Sequence, residues 1–132
     1  MRKIFSLVVL VVALSACEKE TDPVIAPEVI KPMVKLITPV IHQHYHPGMV
    51  IISGEASAGA LLHGYDLMIF DRKTRDTLFK DNGHAHALTF TFSDTMVHGL
   101  LTDYDAQAYV KVYVDHDHNF IADSVDFYLL AQ

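Results

Sequence analysis

The sequence predicts an all-β fold, a seven-stranded antiparallel sandwich, from three observations. Apolar and polar residues alternate over short stretches, those stretches are rich in Val, Ile, Thr, Tyr and Phe, and Gly, Asn and Asp fall between them at regular spacing. No segment sustains a helical period, although TMVHGLL (95–101) is long enough for one helical turn. Internal repeats and low-complexity tracts are absent from the sequence.

The strands read in order as follows. MVKLIT (33–38) is the first, and MVIISGEA (49–56) follows the Pro47-Gly48 turn. GYDLMIFD (64–71) sets Tyr65, Leu67 and Ile69 on one face, and DTLFK (76–80) comes after the polar turn RKTR. LTFTFS (88–93) opposes Leu88, Phe90 and Phe92 to threonines, the pattern of a half-buried strand. AQAYVKVYVD (106–115) points Val110, Val112 and Val114 inward and Tyr109, Lys111 and Tyr113 outward. DSVDFYLL (123–130) does the same with Val125, Phe127 and Leu129. Together these define one domain over residues 32–132, enough chain for a single core.

Ahead of the domain the chain changes character. Residues 1–16 have a basic start at Arg2 and Lys3, an apolar run from Ile4 to Leu14, and small residues before Cys17. That is the build of a secretory signal, and the run is too short for a permanent bilayer span. LSAC (14–17) resembles the lipobox of bacterial lipoproteins, in which the cysteine is lipidated and begins the mature chain. The resemblance implies a lipid anchor on Cys17 and an extracytoplasmic protein held on the bacterial envelope. Residues 17–31 then read as an acidic, Pro-rich tether containing Pro23 and Pro27. Its start, CEKETD, resembles the export signal of surface lipoproteins of the Bacteroidetes, so the outer membrane is the expected location, with its periplasmic and surface faces both open.

Cys17 is the single cysteine, so neither an internal disulfide nor a thiolate zinc site is available. The chain carries 16 acids against 10 bases, and loss of Arg2 and Lys3 with the signal leaves 16 against 8. An acidic surface without a basic stripe argues against nucleic acid and anionic lipid as partners.

The strand order and spacing resemble immunoglobulin-like and fibronectin III-like modules, and YVDHDHNFIADSVDF (113–127) resembles their final hairpin. The cysteine pair and core tryptophan of antibody domains are missing, so the resemblance is to the architecture. In such an up-and-down sandwich, alternate connections share an end. His63, His84, His86, His116 and His118 then gather at one end, drawn from three distant connections. His42, His44, His46 and His98 gather at the other.

Alternate side chains on a strand share a face about 6.6 Å apart at the backbone. The two imidazoles of an H-x-H pair can therefore lean toward one ion at about 2.0–2.1 Å, with a further ligand from another connection. Imidazole donors suit zinc, Cu(II) and nickel. The expected metal ligands are three or four of His63, His84, His86, His116 and His118, with Asp81, Asp115 and Asp117 near enough in sequence to orient the rings. His42, His44 and His46 form a second candidate metal group; nothing beside His98 supports coordination, so it reads as a solvated loop residue or a hydrogen-bonded packing residue. DHDHNFIAD puts Asp115, Asp117, Asn119 and Asp123 at positions 1, 3, 5 and 9 of an EF-hand-like loop. Phe120 stands where that loop needs glycine, which argues against calcium.

The chain lacks G-x-S-x-G, H-E-x-x-H and a Gly-rich phosphate loop, so a binding module is expected rather than an enzyme. The lipobox, the acidic tether and the phrases HYHPG, LHGYD, GHAHA and DHDHN resemble a family of small histidine-rich lipoproteins of the Bacteroidetes. That resemblance implies the anchor and the immunoglobulin-like fold and carries no particular activity. The leading expectation is a lipid-anchored module that binds zinc or Cu(II) for buffering, delivery or sensing. The alternative is a structural or adhesive module that binds an envelope protein or glycan, for example through Tyr109, Tyr113 and Tyr128, with incidental histidines. pH sensing by clustered imidazoles is a third.

Overall fold

The computed structural model describes Ala26 and residues 28–132. The signal segment, Cys17 and most of the tether lie outside the described residues. The described chain forms eight strands: β1 (Met33–Thr38), β2 (His44–Tyr45), β3 (Gly48–Leu62), β4 (Gly64–Asp71), β5 (Thr77–Gly83), β6 (Ala87–His98), β7 (Tyr104–Tyr113) and β8 (Phe120–Leu129). They make a three-stranded sheet, β1-β3-β6, and a five-stranded sheet, β2-β8-β7-β4-β5. The all-β, two-sheet sandwich arrangement is therefore present, with one strand more than the sequence suggests. The addition is β2, a two-residue strand that pairs in parallel with β8 through His44↔Tyr128 and Tyr45↔Leu129. So short a strand leaves no alternation in the sequence to read.

The core follows from alternation on facing strands. Val50 and Ile52 of β3 and Phe92 and Met96 of β6 face Leu67 and Ile69 of β4, Val110 and Val112 of β7, and Phe127 and Leu129 of β8. Each such side chain contributes roughly 1.5–3 kcal/mol by leaving water. Ala106 and Ala108 are also fully buried, small enough for close approach between the sheets. A register shift between Leu36 and Thr38 releases β1 from regular pairing there, and the Leu36 amide donates to the Asp123 carboxylate of β8 at 2.8 Å. That bond ties the two sheets together at an edge.

Three expectations are corrected. Residues 95–98 continue β6 as strand, with no helical turn, because Phe92, Met96 and His98 keep an inward period of two and are buried. β3 runs on to Leu62, well beyond residue 56. Leu88, expected inward, is 52% exposed. Between Ser57 and Leu62 the register of β3 against β6 shifts, so β3 bulges away where Leu88 sits.

β3 sets the long axis of the domain. It starts at Gly48, paired with His98, and ends at Leu62, beside His63. The two histidine groups thus lie at opposite ends, separated by about 45 Å of strand. Glu28, Val29, Ile30 and Pro32 line a groove with Ala58, Gly59, Ala60 and Val114, so the chain enters the fold at the His63 end.

Candidate metal centre

Three connections build the site. Between β3 and β4 a single residue, His63, makes the crossing, and its amide donates to the Tyr113 carbonyl at 2.9 Å. Gly64 follows at φ +131°, a conformation L side chains rarely adopt. It presses on Gly83, where an added Cβ would lie 2.5 Å from the carbonyl oxygen. This close approach brings the β5–β6 connection, with His84 and His86, against His63.

The β7–β8 connection is held by Asp115. Its carboxylate accepts from the amides of Asp117 (2.9 Å) and Asn119 (3.0 Å) and from the Asn119 side chain (2.7 Å). Those bonds, with Asn119 first, hold the Asp115 carboxyl below its usual range. An aspartate so engaged stabilises its own turn. The turn sets His118 at φ 63° and presents His116 to His63.

Four imidazoles meet there. The His63 ring lies between His116, centroids 4.0 Å apart, and His86, centroids 5.3 Å apart and nearly perpendicular. His86 continues to His84, whose Nε2 is 2.8 Å from the His86 Nε2. One of those nitrogens donates and the other accepts. His63 is half-buried, and its Nδ1 is shut off from solvent without a hydrogen-bond partner. Burial, then the neighbouring His116 and His86, lowers the His63 pKa, with Asp115 pulling weakly the other way. The ring is therefore neutral, the form that ligates, at pH 7.

His118 is set apart. Its ring packs edge-on against Tyr113 at 5.8 Å, and it shares with His63, Tyr113, Asp115 and His116 the walls of a shallow cavity of about 230 Å³. The Tyr113 hydroxyl donates to Asp66 at 2.5 Å, which fixes that wall. Tyr113 and the Gly64–Gly83 contact are parts of the site that spacing arguments missed. The only signals were a glycine directly after His63 and one directly before His84.

Among the described residues no three His, Asp or Glu side chains stand with donor atoms already converged on one point. The rings pack face to edge, and coordination requires the exposed His84, His86 and His116 to rotate between staggered wells.

The second histidine group is dispersed. His42 sits at φ 59° with its amide on the Asp126 carbonyl, and His44 stacks on Tyr128 at 4.6 Å. The positive φ and the brevity of β2 break the extended run that would have put His42, His44 and His46 on one face. His98 is buried, with Nε2 at 2.9 Å from the His46 carbonyl. The tyrosines of the alternative reading are engaged with near neighbours. Tyr109 packs on Phe70, Tyr113 binds Asp66 and Tyr128 holds His44.

A scan against protein-family models matches none, and a search of curated proteins finds no significant match.

Proposed function

We propose that this chain is a lipid-anchored envelope module that binds a divalent transition metal, zinc or Cu(II), through His63, His84, His86 and His116. One observation carries the reading: four imidazoles from three separate connections lie in a run of ring contacts through His63, whose Nδ1 is buried and unpaired. Buried polar atoms without partners are rare, and an ion would supply the missing one. Neutral imidazoles suit borderline ions, and the described residues offer no thiolate to favour a softer one. The order β1-β3-β6 against β8-β7-β4-β5 supports an immunoglobulin-like or fibronectin III-like topology for the scaffold. The LSAC motif supports lipidation of Cys17, and the CEKETD start of the tether supports residence at the outer membrane.

Isothermal titration of the untagged protein with Zn²⁺ and Cu²⁺ at neutral pH tests this. Stoichiometric, submicromolar binding is expected, and His84→Ala with His86→Ala abolishes it. Weak, non-saturating uptake overturns the proposal, and unchanged affinity in the double variant overturns the ligand assignment.

One observation favours a second reading, adhesion. Val40, Ile41, Met49, Val97 and Leu101, near the end opposite His63, are 49%, 62%, 75%, 75% and 87% exposed. Apolar side chains grouped at one end suit docking to an envelope protein. Recovery of a specific partner that is lost on Met49→Ser with Val97→Ser is the expected result under that reading.

A further inference from the structure

We infer that the metal centre is open, with one exchangeable coordination position that faces the cavity lined by His63, Tyr113, Asp115, His116 and His118. The inference rests on the metal-binding reading above and specifies how the ion is passed on.

The four imidazoles are not equivalent. His84 and His86 come from one short connection and already hold their Nε2 atoms 2.8 Å apart. That separation is a hydrogen bond, so one of the two nitrogens carries a proton, and the two rings can reach one ion once they turn their lone pairs toward it. His63 is the fixed third donor, since its backbone is pinned to Tyr113 and its ring is packed between two others. His116 alone of the four combines exposure with a place on the cavity wall: His63 is half-buried, and His84 and His86 do not line the cavity. Its turn is held by the Asp115 carboxylate and by the Val114 amide on the Asn119 carbonyl, and the cavity gives the ring somewhere to go.

A ring with room to withdraw makes a replaceable ligand. An incoming nitrogen donor enters from the cavity and donates its lone pair to the ion. The bond from His116 then breaks, and the ion keeps its charge and oxidation state. Closed four-ligand sites serve structure, whereas sites with an open position serve exchange and chemistry. The arrangement fits delivery to a partner's imidazole better than storage. Asp115 and Tyr113 line the path and would accept from, or pack on, such a ring.

Imidazole itself is the probe. The protein is loaded with one equivalent of Cu²⁺ and titrated with imidazole while the Cu(II) EPR spectrum is followed. A ternary species with altered g and hyperfine values, formed with the copper still on the protein, is expected. His116→Ala should bind copper and form the same species at roughly tenfold lower imidazole, because no internal ring competes. Its urea midpoint should be unchanged, since the ring is exposed. A spectrum that stays fixed up to the point where imidazole strips the copper overturns the open position, as does identical imidazole dependence in the variant. Failure to bind copper at all overturns the metal-binding reading itself, so the two failures are distinguishable.

Discussion

Gly64→Ala tests the joint on which the histidine site depends. The substitution has two costs that can be separated. At φ +131° a Cβ is strained wherever it points, and such conformations cost on the order of 1–3 kcal/mol. The new methyl would also lie 2.5 Å from the Gly83 carbonyl oxygen and 3.3 Å from the His84 Cα, both backbone atoms that cannot swing aside. Forcing them apart adds about 1–3 kcal/mol. Gly48 supplies the control: its φ is +139°, yet a Cβ there meets nothing within 4 Å. Gly48→Ala should therefore show the strain alone, and Gly64→Ala roughly twice that loss, about 2–6 kcal/mol. Urea unfolding followed by far-UV circular dichroism measures both, and copper titration of the folded variants measures the site. Gly64→Ala should also weaken copper binding, because the strands part where His63 meets His86; Gly48→Ala should not. If the two variants lose equal stability, the close approach of Gly64 to Gly83 is not a structural joint and the reasoning fails.

Asp71→Ala should cost about 1–3 kcal/mol in urea, because this buried carboxylate holds the 72–76 turn through the Lys73 amide (2.9 Å) and the Thr74 hydroxyl (3.1 Å). Burial and the nearby Asp81 raise the Asp94 pKa above its ordinary 3.8, against the Tyr65 hydroxyl that bonds it at 3.2 Å. A carboxyl whose folded pKa is raised favours the fold when protonated, and that contribution is lost as pH rises from 3.8 through the raised value. Asp94→Asn should therefore raise the melting temperature at pH 7, with a gain that shrinks as pH falls toward 4; an equal gain at both pH values would refute this assignment. Metal should leave as pH drops below about 6, since imidazoles must be neutral to ligate, and a titration at pH 5.5 that matches the one at pH 7.4 would exclude histidine as the donor.

The alternation that marks β4, β7 and β8 was legible because buried valines, leucines and phenylalanines stand at every second position there. β6 was legible only in its first half. Its inward period continues through Asp94, and a carboxylate on the core face hides the pattern that Met96 and His98 resume. That carboxylate is there to meet the Tyr65 hydroxyl, a contact from another sheet. The far part of β3 is Ala58, Gly59 and Ala60, residues with little β preference, held in strand by tertiary pairing rather than by their own tendency. The gathering of His63, His84, His86 and His116 followed from topology alone, since alternate connections of an up-and-down sandwich share an end. The position of His118 did not, because the Asx turn at Asp115 fixes which of two alternating rings faces His63. The scattering of His42, His44 and His46 depends on a positive φ at His42, which histidine tolerates without advertising it.

The path of residues 28–32 beside Ala58–Ala60 has a mechanical consequence. Ten residues lie between Cys17 and Glu28, a leash of at most about 36–40 Å over its eleven steps when fully drawn out. Under the anchoring of Cys17 proposed above, the imidazole end is kept on a short lead, while the apolar tip with Met49 and Leu101 stands a further strand length away. With the proposed anchor and metal site, the molecule would be polar in the sense of a buoy on its mooring, with the histidine end near the mooring and the apolar tip away from it.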